Sequence, residues 1–353
     1  MGPTPAVAAV RRAVRGCVGD LAPGALVLVA CSGGADSLAL AAAAAFVAPR
    51  AGLRAGGVTV DHGLQPGSAA RAAAVAARLA RLGLDPVSSV PVAVGSAGGP
   101  EAAARVARYE ALARVAGDTG AAAVLLGHTL DDQAETVLLG LARGSGPRSL
   151  AGMPAVRGVF RRPLLGLRRS VTAAACAGQE LRPWEDPHNA DRRYARARVR
   201  QDALPALEAA LGPGVAEALA RTAGQLRADA EFLESVSAEL WMGTGPLPVS
   251  SISGLPAAIR TRVLRGAAVA AGCPAGALSE RHVRALDELV TGFRGQRWID
   301  LPGGVRAARR GGELCFTGAD GIPDERGADG RGGPGAGAQR GADQRGAAAG
   351  ADG

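Results

Sequence analysis

The sequence contains no lysine, and all 40 of its basic residues are arginines. Walker P-loop proteins, protein kinases and Schiff-base enzymes each depend on a lysine side chain, so these three classes of protein are excluded. Aromatic residues are also scarce, with three Trp, two Tyr and five Phe in 353 residues. The chain therefore shows no obvious aromatic platform on which nucleic-acid bases could stack.

Cysteines are few as well, and the five that occur lie far apart without a CxxC pair. This spacing predicts reduced thiols in a cytoplasmic protein, not a metal site or a disulfide framework. Residues 1–20 lack the apolar core of a signal peptide. The longest apolar run, residues 38–48, is too short to span a bilayer, so we expect no membrane association.

The formal net charge is +8, which makes a polyanionic partner plausible. A basic surface without any such partner would give the same number, and charge alone does not separate the two. The last 35 residues, 319–353, are rich in Gly, Ala, Asp and Arg and have no hydrophobic periodicity. We expect this tail to be disordered, and its GxGxxG pattern, which has no neighbouring strand or helix, is not a nucleotide site.

Strand-like runs alternate with helical stretches through the first half of the chain. This alternation predicts an α/β fold, a parallel sheet with helices on both faces. The strands are expected at 26–31, 57–61, 87–94 and 123–127, with a fifth within 156–165. We expect a catalytic domain over 1–182, an arginine-rich helical segment over 183–243, and a small α+β domain over 249–317.

The stretch SGGADS follows the first strand and precedes an alanine-rich helix. Its glycines permit positive φ angles and close approach of the backbone, and the amides at the helix start point outward toward an anion. Asp36 places a carboxylate in the same loop, which is consistent with a Mg²⁺ ion between the carboxylate and bound phosphates. The loop is therefore predicted to bind a phosphate group.

A second polar cluster begins after the fourth strand, in GHTLDDQAETVLL. His128, Asp132 and Glu135 are spaced i, i+4 and i+7, which places them on one face of a helix. Such a face could bind Mg²⁺, position a nucleophile or move a proton. The alternative is a solvated acidic first turn that the helix dipole favours.

Two further groups are less specific. Glu101, Arg105 and Arg108 repeat the helical spacing, and either bind phosphate or form surface ion pairs. Asp61 and His62 follow the second strand, where such a pair more often ends a strand than catalyses.

Five arginines occur within residues 192–200 without an acidic residue among them. We expect Arg192, Arg196 and Arg200 to line one helical face and to contact a nucleic-acid backbone. The alternative is an ordinary solvated face.

Taken together, these stretches closely resemble the tRNA(Ile)-lysidine synthases, a family of PP-loop (N-type) ATP pyrophosphatases with a Rossmann-like fold. SGGADS alone indicates only the superfamily. Specificity comes from an ordered set of segments: VDHGL (60–64), EAAARVARYEAL (101–112), GHTLDDQAETVLLGLARGSG (127–146), RPLLGLRR (162–169) and WEDPHNADRRYARARVR (184–200). The resemblance covers about 25–225, with a looser likeness over 249–317.

The resemblance implies a ligase that uses ATP to adenylate C2 of the wobble cytidine, C34, in a tRNA(Ile) with a CAU anticodon. Free L-lysine then displaces AMP, and the product, lysidine, changes codon recognition from AUG to AUA. The implied cofactors are ATP and Mg²⁺, and the oligomeric state stays open, a homodimer included.

Carried over residue by residue, the resemblance implies the following roles. ATP would be bound by Ser32, Gly33, Gly34, Ala35, Asp36, Ser37, Asp61 and His62, with Asp36 also at the metal. The catalytic residues would be Asp36, Arg108, His128, Asp132 and Glu135, with Arg105 at a phosphate or at the intermediate. The sequence departs from the family pattern at Gln65, Ala195 and Ala197, which bears on RNA contacts and not on the ATP site.

Three rival interpretations remain. A tRNA thiolase of the same superfamily would need paired cysteines or a cluster. An amidotransferase-type synthetase would be paired with a glutaminase cysteine that is not found here. A catalytically idle RNA-binding protein would not need Asp36, Asp132 and Glu135.

Overall fold

Alternation of apolar strands with helices produces the main architecture of the structure, which is a computed structural model. The structure describes residues 2–63, 66–93, 95, 100–144, 146–184, 191–241, 243, 245–296 and 298–318. The tail 319–353 and Gln65 lie outside the described residues, and so does the side chain of Glu101. The chain divides between Phe232 and Leu233 into two units.

The first unit begins with regular strand–helix repeats. Its elements run α1 (Pro5–Val18), β1 (Leu26–Ala30), α2 (Ala35–Arg50), β2 (Arg54–Asp61), α3 (Ser68–Arg81), β3 (Val87–Pro91), α4 (Pro100–Thr119), β4 (Ala123–Leu126) and α5 (Leu130–Ala142). They continue as α6 (Pro147–Leu150), β5 (Val156–Arg157), β6 (Phe160–Arg161), α7 (Arg169–Ala177), α8 (Ala195–Arg198), a π-helical turn (Val199–Ala203), α9 (Leu204–Leu211) and α10 (Val215–Leu240), which crosses the division.

These strands form one six-stranded sheet in the order β3-β2-β1-β4-β6-β5. All its pairs are parallel except β5 with β6, which is antiparallel. The predicted parallel sheet is therefore confirmed, but the expected fifth strand is a short hairpin. Gly158, with φ of 56°, makes the turn that breaks it in two.

Alternate residues of β1 bury on opposite faces of the sheet, as the strand period of two requires. Val27 and Val29 join the core beneath α1, α2 and α7, whereas Leu26 and Leu28 join the core beneath α4. Helices therefore cover both faces, and the polar loops lie where the strands end.

The second unit contains α11 (Val249–Ile252), α12 (Ala257–Ala270) and α13 (Glu280–Thr291). Its antiparallel sheet has the order β7-β10-β9-β8, formed by Leu247–Pro248, Glu313–Gly318, Val305–Arg310 and Ile299–Leu301. The α+β composition expected for this part of the chain is therefore confirmed. Within the described ranges, no helix is long and apolar enough to cross a membrane.

We predict that β2 tolerates no side chain at Gly56. A Cβ there would lie 2.6 Å from the carbonyl oxygen of Pro86 and 2.7 Å from Cδ2 of Leu28. Gly56→Ala should lower the free energy of unfolding by about 1–3 kcal/mol because the clash is partly with backbone.

Gly16, inside α1, has no such neighbour within 4 Å. Gly16→Ala should raise the free energy by about 0.5–1 kcal/mol. Equal urea midpoints for the two variants would contradict this packing.

Candidate active site

The loop between β1 and α2 has the shape of an anion-binding turn. Gly33 has φ of 88°, and a Cβ there would lie 2.9 Å from Cγ2 of Val75. Its carbonyl oxygen accepts a hydrogen bond from the amide of Trp184 at 2.9 Å. Helix α2 starts at Ala35 with Gly34 as its N-cap and without a side-chain cap. Its first amides are therefore available to an anion.

The hydroxyl of Ser37 braces this loop from within. Oγ of the buried Ser37 donates to the carbonyl of Gly34 at 3.0 Å and accepts from the amide of Ser32 at 3.2 Å. It also lies 3.3 Å from Oγ of Ser32. This network fixes the curvature of the loop before any ligand binds.

The end of β4 packs directly against the same loop. A Cβ on Gly127 would lie 3.1 Å from the amide nitrogen of Ser37, so only glycine allows this approach without a shift. Helix α5 then starts with a capping box: the amide and hydroxyl of Thr129 donate to Oδ2 of Asp132 at 2.8 and 2.9 Å. The loop and the start of α5 are thus neighbours at one edge of the sheet.

Asp132 is buried and strongly fixed. Besides Thr129, its Oδ1 accepts from Nη2 of Arg169 at 2.9 Å and from Nη2 of Arg200 at 3.3 Å. Burial by itself raises the pKa of Asp132. This effect is outweighed by four neighbouring groups, which are Arg169, the Thr129 amide, His128 and Arg200, and the pKa is lowered. Asp132 is therefore a carboxylate held in its charged form.

Glu135 lies one turn further along α5 with its side chain fully buried. Arg200 binds it with two hydrogen bonds, from Nε to Oε1 at 2.7 Å and from Nη2 to Oε2 at 3.1 Å. Nη2 of Arg169 lies 3.5 Å from Oε1, and Nε of Arg196 lies 3.6 Å from Oε2. Such complete pairing is what allows a carboxylate to remain buried.

Asp36 faces this acidic helix from the loop side. Its Oδ1 accepts a hydrogen bond from the hydroxyl of Thr172, and its Oδ2 lies 3.5 Å from Nε of Arg169. Burial and the nearby charge of Asp132 raise the pKa of Asp36, although Thr172 and Arg169 act in the opposite direction. The structure thus brings Asp36 together with Asp132 and Glu135, which lie about 100 residues further along the sequence.

Sequence reasoning missed Arg169 and Thr172 as site residues. Both belong to the first turn of α7, and Arg169 ends the segment RPLLGLRR, which carried the resemblance without a role being assigned to any of its residues. No local spacing pattern connects Arg169 to α5. Its contacts with the carboxylates arise because α7 packs beside α2 and because its first amide donates to Asp131 on α5.

A cluster of cationic side chains and neutral imidazoles lies beside the acidic face. Burial lowers the pKa of His128 to about 3, and Arg108, Arg162 and Arg105 add to the effect while Asp132 opposes it. Burial and Arg108 lower the pKa of His62. The Nδ1 atoms of both histidines are buried and have no hydrogen-bond partner among the described residues. Both imidazoles are therefore neutral at pH 7, within a region of positive charge.

Tyr109 links the arginines of this cluster. Its hydroxyl accepts hydrogen bonds from Nη2 of Arg162 at 3.1 Å and from Nη2 of Arg105 at 3.5 Å. The Tyr109 ring packs edge-on against Phe160, with centroids 4.9 Å apart. The arrangement of guanidinium groups could accommodate a phosphate.

Two predictions of a shared helical face were wrong in part. His128 lies before α5, which begins at Leu130 with Thr129 as its N-cap, so only Asp132 and Glu135 share that helix. Arg192 does not share a helix with Arg196 and Arg200, because α8 begins only at Ala195 and a π-helical turn follows it. Arg192 is exposed and pairs with Asp202 at 2.8 Å. Arg196 donates instead to Oγ1 of Thr136 at 3.1 Å, so Arg196 and Arg200 both point at α5.

Asp61 ends β2 as an ordinary strand-end residue. Its Oδ1 accepts from the amide of Gly63 at 3.0 Å, and this bond and Ser68 lower the pKa of Asp61. Among the described residues, no group of three or more His, Cys, Asp or Glu side chains is arranged to bind a metal ion by itself.

Two protein families match most of the described chain. The family described as a PP-loop domain matches residues 9–207, and the family described as the TilS substrate binding domain matches residues 247–315. The first match contains the whole candidate site.

Curated relatives extend over nearly the full chain. The tRNA(Ile)-lysidine synthase of Thermobifida fusca is 61% identical over 90% of this chain and 99% of its own length. That of Streptomyces coelicolor is 56% identical, with the same coverage of both chains. That of Salinispora tropica is 58% identical over 88% of this chain and 96% of its own length.

Among solved structures, the U34-tRNA thiolase NcsA from Methanococcus maripaludis with its [4Fe-4S] cluster is similar in fold. It matches with a TM-score of 0.53 and 20% identity, covering 63% of this chain and 79% of that one. At this identity the likeness shows the fold alone, whereas the curated relatives decide the family. The chain belongs to the tRNA(Ile)-lysidine synthase family of PP-loop proteins.

Proposed function

We propose that this chain joins free L-lysine to C2 of C34 in tRNA(Ile) with a CAU anticodon, through an adenylated tRNA, and releases diphosphate and AMP. The observation that carries the proposal is the meeting of an anion-binding loop with a buried acidic helix face, bridged by Arg169. A triphosphate suits the loop, and a cationic amine suits the carboxylates. ATP use and a tRNA substrate are properties of the family to which the chain belongs.

The loop residues 32–37 would bind the pyrophosphate of ATP through backbone amides and the hydroxyl of Ser32. Attack of the C2 oxygen on the α-phosphorus requires positioning and neutralisation of the developing negative charge. Arg105 and Arg108 lie among the cations suited to that task. Asp61 and His62, at the end of β2, would lie beside the adenosine.

Asp36 is the residue that would bind Mg²⁺. A magnesium ion commonly takes one or two protein carboxylates together with substrate phosphate oxygens, and Asp36 lies at the loop that would receive those phosphates. Its raised pKa indicates a carboxylate whose negative charge is only partly compensated by Arg169 and Thr172. When bound, the ion would neutralise charge on the phosphates.

Asp132 would receive the ε-ammonium of lysine, and the buried Glu135 would add its negative charge to the same face. The amine attacks only after it loses a proton, so a neighbouring carboxylate must first bind the cation and then accept that proton. His128 would contribute differently, because its neutral ring can hydrogen-bond a substrate group without adding charge.

The alternative of a tRNA thiolase finds no support in the cysteines. Cys31 and Cys176 are buried next to the loop, where burial and then Asp36 raise the pKa of Cys176 to about 11. A thiol with such a pKa is a poor nucleophile at neutral pH. Homodimer formation and a cytoplasmic location stay predictions.

We expect the wild-type chain, given ATP, lysine and tRNA(Ile), to add one lysine to position 34, as measured by mass spectrometry. Asp36→Asn should reduce lysidine formation by about 100-fold or more, while tRNA affinity stays unchanged, because it removes the charge proposed to face the metal and phosphates. Asp20→Asn is the matched control and should keep wild-type activity, since Asp20 pairs with Arg161 and contacts neither the loop nor Arg169. If the wild-type chain releases diphosphate but forms no lysidine, the proposed function is refuted.

We expect His128 to make stability dependent on pH. Its pKa is about 6.5 when unfolded and about 3 when folded, so between these values the unfolded state binds the extra proton. Acidification below pH 6.5 should therefore lower the free energy of unfolding, by up to about 1.4 kcal/mol per pH unit from this residue. His128→Asn should flatten the slope measured by urea unfolding. An unchanged slope in His128→Asn would contradict the buried neutral ring.

The arginine segment gives a test of tRNA contact. Exposed Arg192 pairs away from the acidic face, whereas Arg200 neutralises Glu135. Arg192→Gln should therefore reduce the dependence of log Kd on log salt by about 0.7–0.9. Arg200→Gln should leave that slope unchanged and reduce turnover instead. Dissociation constants over a salt series decide this, and the reverse pattern would assign the phosphate contact to Arg200.

A further inference from the structure

Two adjacent arginines at the start of α7 each contact three carboxylates, but the two sets differ completely. Arg168 contacts acids that join helices to one another: Asp131, Glu208 and Glu217, each at 3.1 Å. Arg169 contacts the three proposed site carboxylates: Asp132 at 2.9 Å, and Asp36 and Glu135 at 3.5 Å each. Of these two neighbours, Arg168 therefore holds helices together, whereas Arg169 belongs to the proposed site.

The backbone around Arg169 is fixed on both sides. Its amide, at the first position of α7, donates to Oδ2 of Asp131 at 2.7 Å. Its carbonyl oxygen lies 2.7 Å from Oγ1 of Thr172, and the same hydroxyl donates to Asp36. The start of α7 is thus tied to α5 through Asp131 and to the loop through Thr172, which leaves the guanidinium little freedom.

Among the described ion pairs, Arg169 alone joins the loop carboxylate to the carboxylates of α5. Arg200 pairs with Asp132 and Glu135, and Arg196 with Glu135, but neither is paired with Asp36. Asp36 and Asp132 repel each other as like charges in a largely buried place. A shared guanidinium between them offsets that repulsion and sets their separation, since its planar fork presents several donors at fixed angles.

From these contacts we propose that Arg169 is a positioning residue of the ligation. It fixes the distance between the loop where ATP is bound and the acidic face where lysine is bound, so that the adenylated cytidine and the attacking amine meet in reactive geometry. This rests on the function proposed above. Arg169 need not touch either substrate, because it acts through Asp36, Asp132 and Glu135.

A positioning role has a kinetic signature that differs from a binding role. Removing Arg169 leaves Asp132 and Glu135 with less compensating positive charge, so the acidic face still attracts a cationic amine. The KM for lysine should therefore stay level or fall while kcat falls, because misplacement by about 1 Å costs on the order of 100-fold in rate. Loss of a binding residue would instead raise KM.

The experiment uses the full-length chain with Arg169→Gln, Arg169→Lys and the matched control Arg168→Gln. All are assayed for kcat and lysine KM of lysidine formation, for tRNA affinity and for melting temperature. Arg169→Gln should lose about 100-fold in kcat, with lysine KM no higher than wild type and tRNA Kd within about threefold. Arg169→Lys should recover about tenfold of that loss because it restores the charge without the fork.

Arg168→Gln should lower the melting temperature and keep kcat within about threefold of wild type, since it breaks three ion pairs outside the site. The inference is overturned if Arg169→Gln keeps near wild-type kcat, or raises lysine KM without lowering kcat. It is also overturned if both Gln variants lose kcat equally in step with their melting temperatures. Wild-type protein that makes no lysidine would refute the proposed function instead, so the two failures are distinguishable.

Discussion

Neutralisation of buried carboxylates by arginine is the interaction on which this site depends. Glu135 has no solvent exposure and Asp132 is only 9% exposed, and an isolated buried carboxylate would cost several kcal/mol. Arg169 from α7 and Arg200 from the π-helical turn supply the compensating charge. Because these cations come from segments 34 and more residues beyond Glu135, the acidic face can exist only when α5, α7 and the arginine segment are packed together.

The absence of lysine has a chemical consequence for such a site. A guanidinium stays protonated under all ordinary conditions, so arginines beside the acidic face cannot act as bases or as nucleophiles. In the proposed reaction, a protein lysine in the same place would compete with the free amino acid for the carboxylates and for the activated cytidine. An arginine lining therefore stabilises the carboxylates without imitating the proposed substrate.

Packing around α5 brings the arginine segment into contact with the site. Leu130 and Ala134 on α5 form one buried cluster with Leu204 and Ala216 from α9 and α10. The polar face of α5, turned toward the loop, carries Asp132 and Glu135. One amphipathic helix thus uses its apolar side to hold the segment that contains Arg196 and Arg200, and its acidic side to receive their guanidinium groups.

The sequence by itself determined the parallel α/β fold, because strands and helices have different hydrophobic periods that are visible locally. It also determined the loop at residues 32–37 and the acidic face of α5, since each lies within one short segment with a characteristic spacing. The hairpin in place of a fifth strand, the break before Ala195 and the central position of Arg169 were decided only in the tertiary structure. The position of Arg169 depends on contacts between residues distant in the chain, because the spacing of arginines along a segment predicts which of them share a face but not which carboxylates that face will meet.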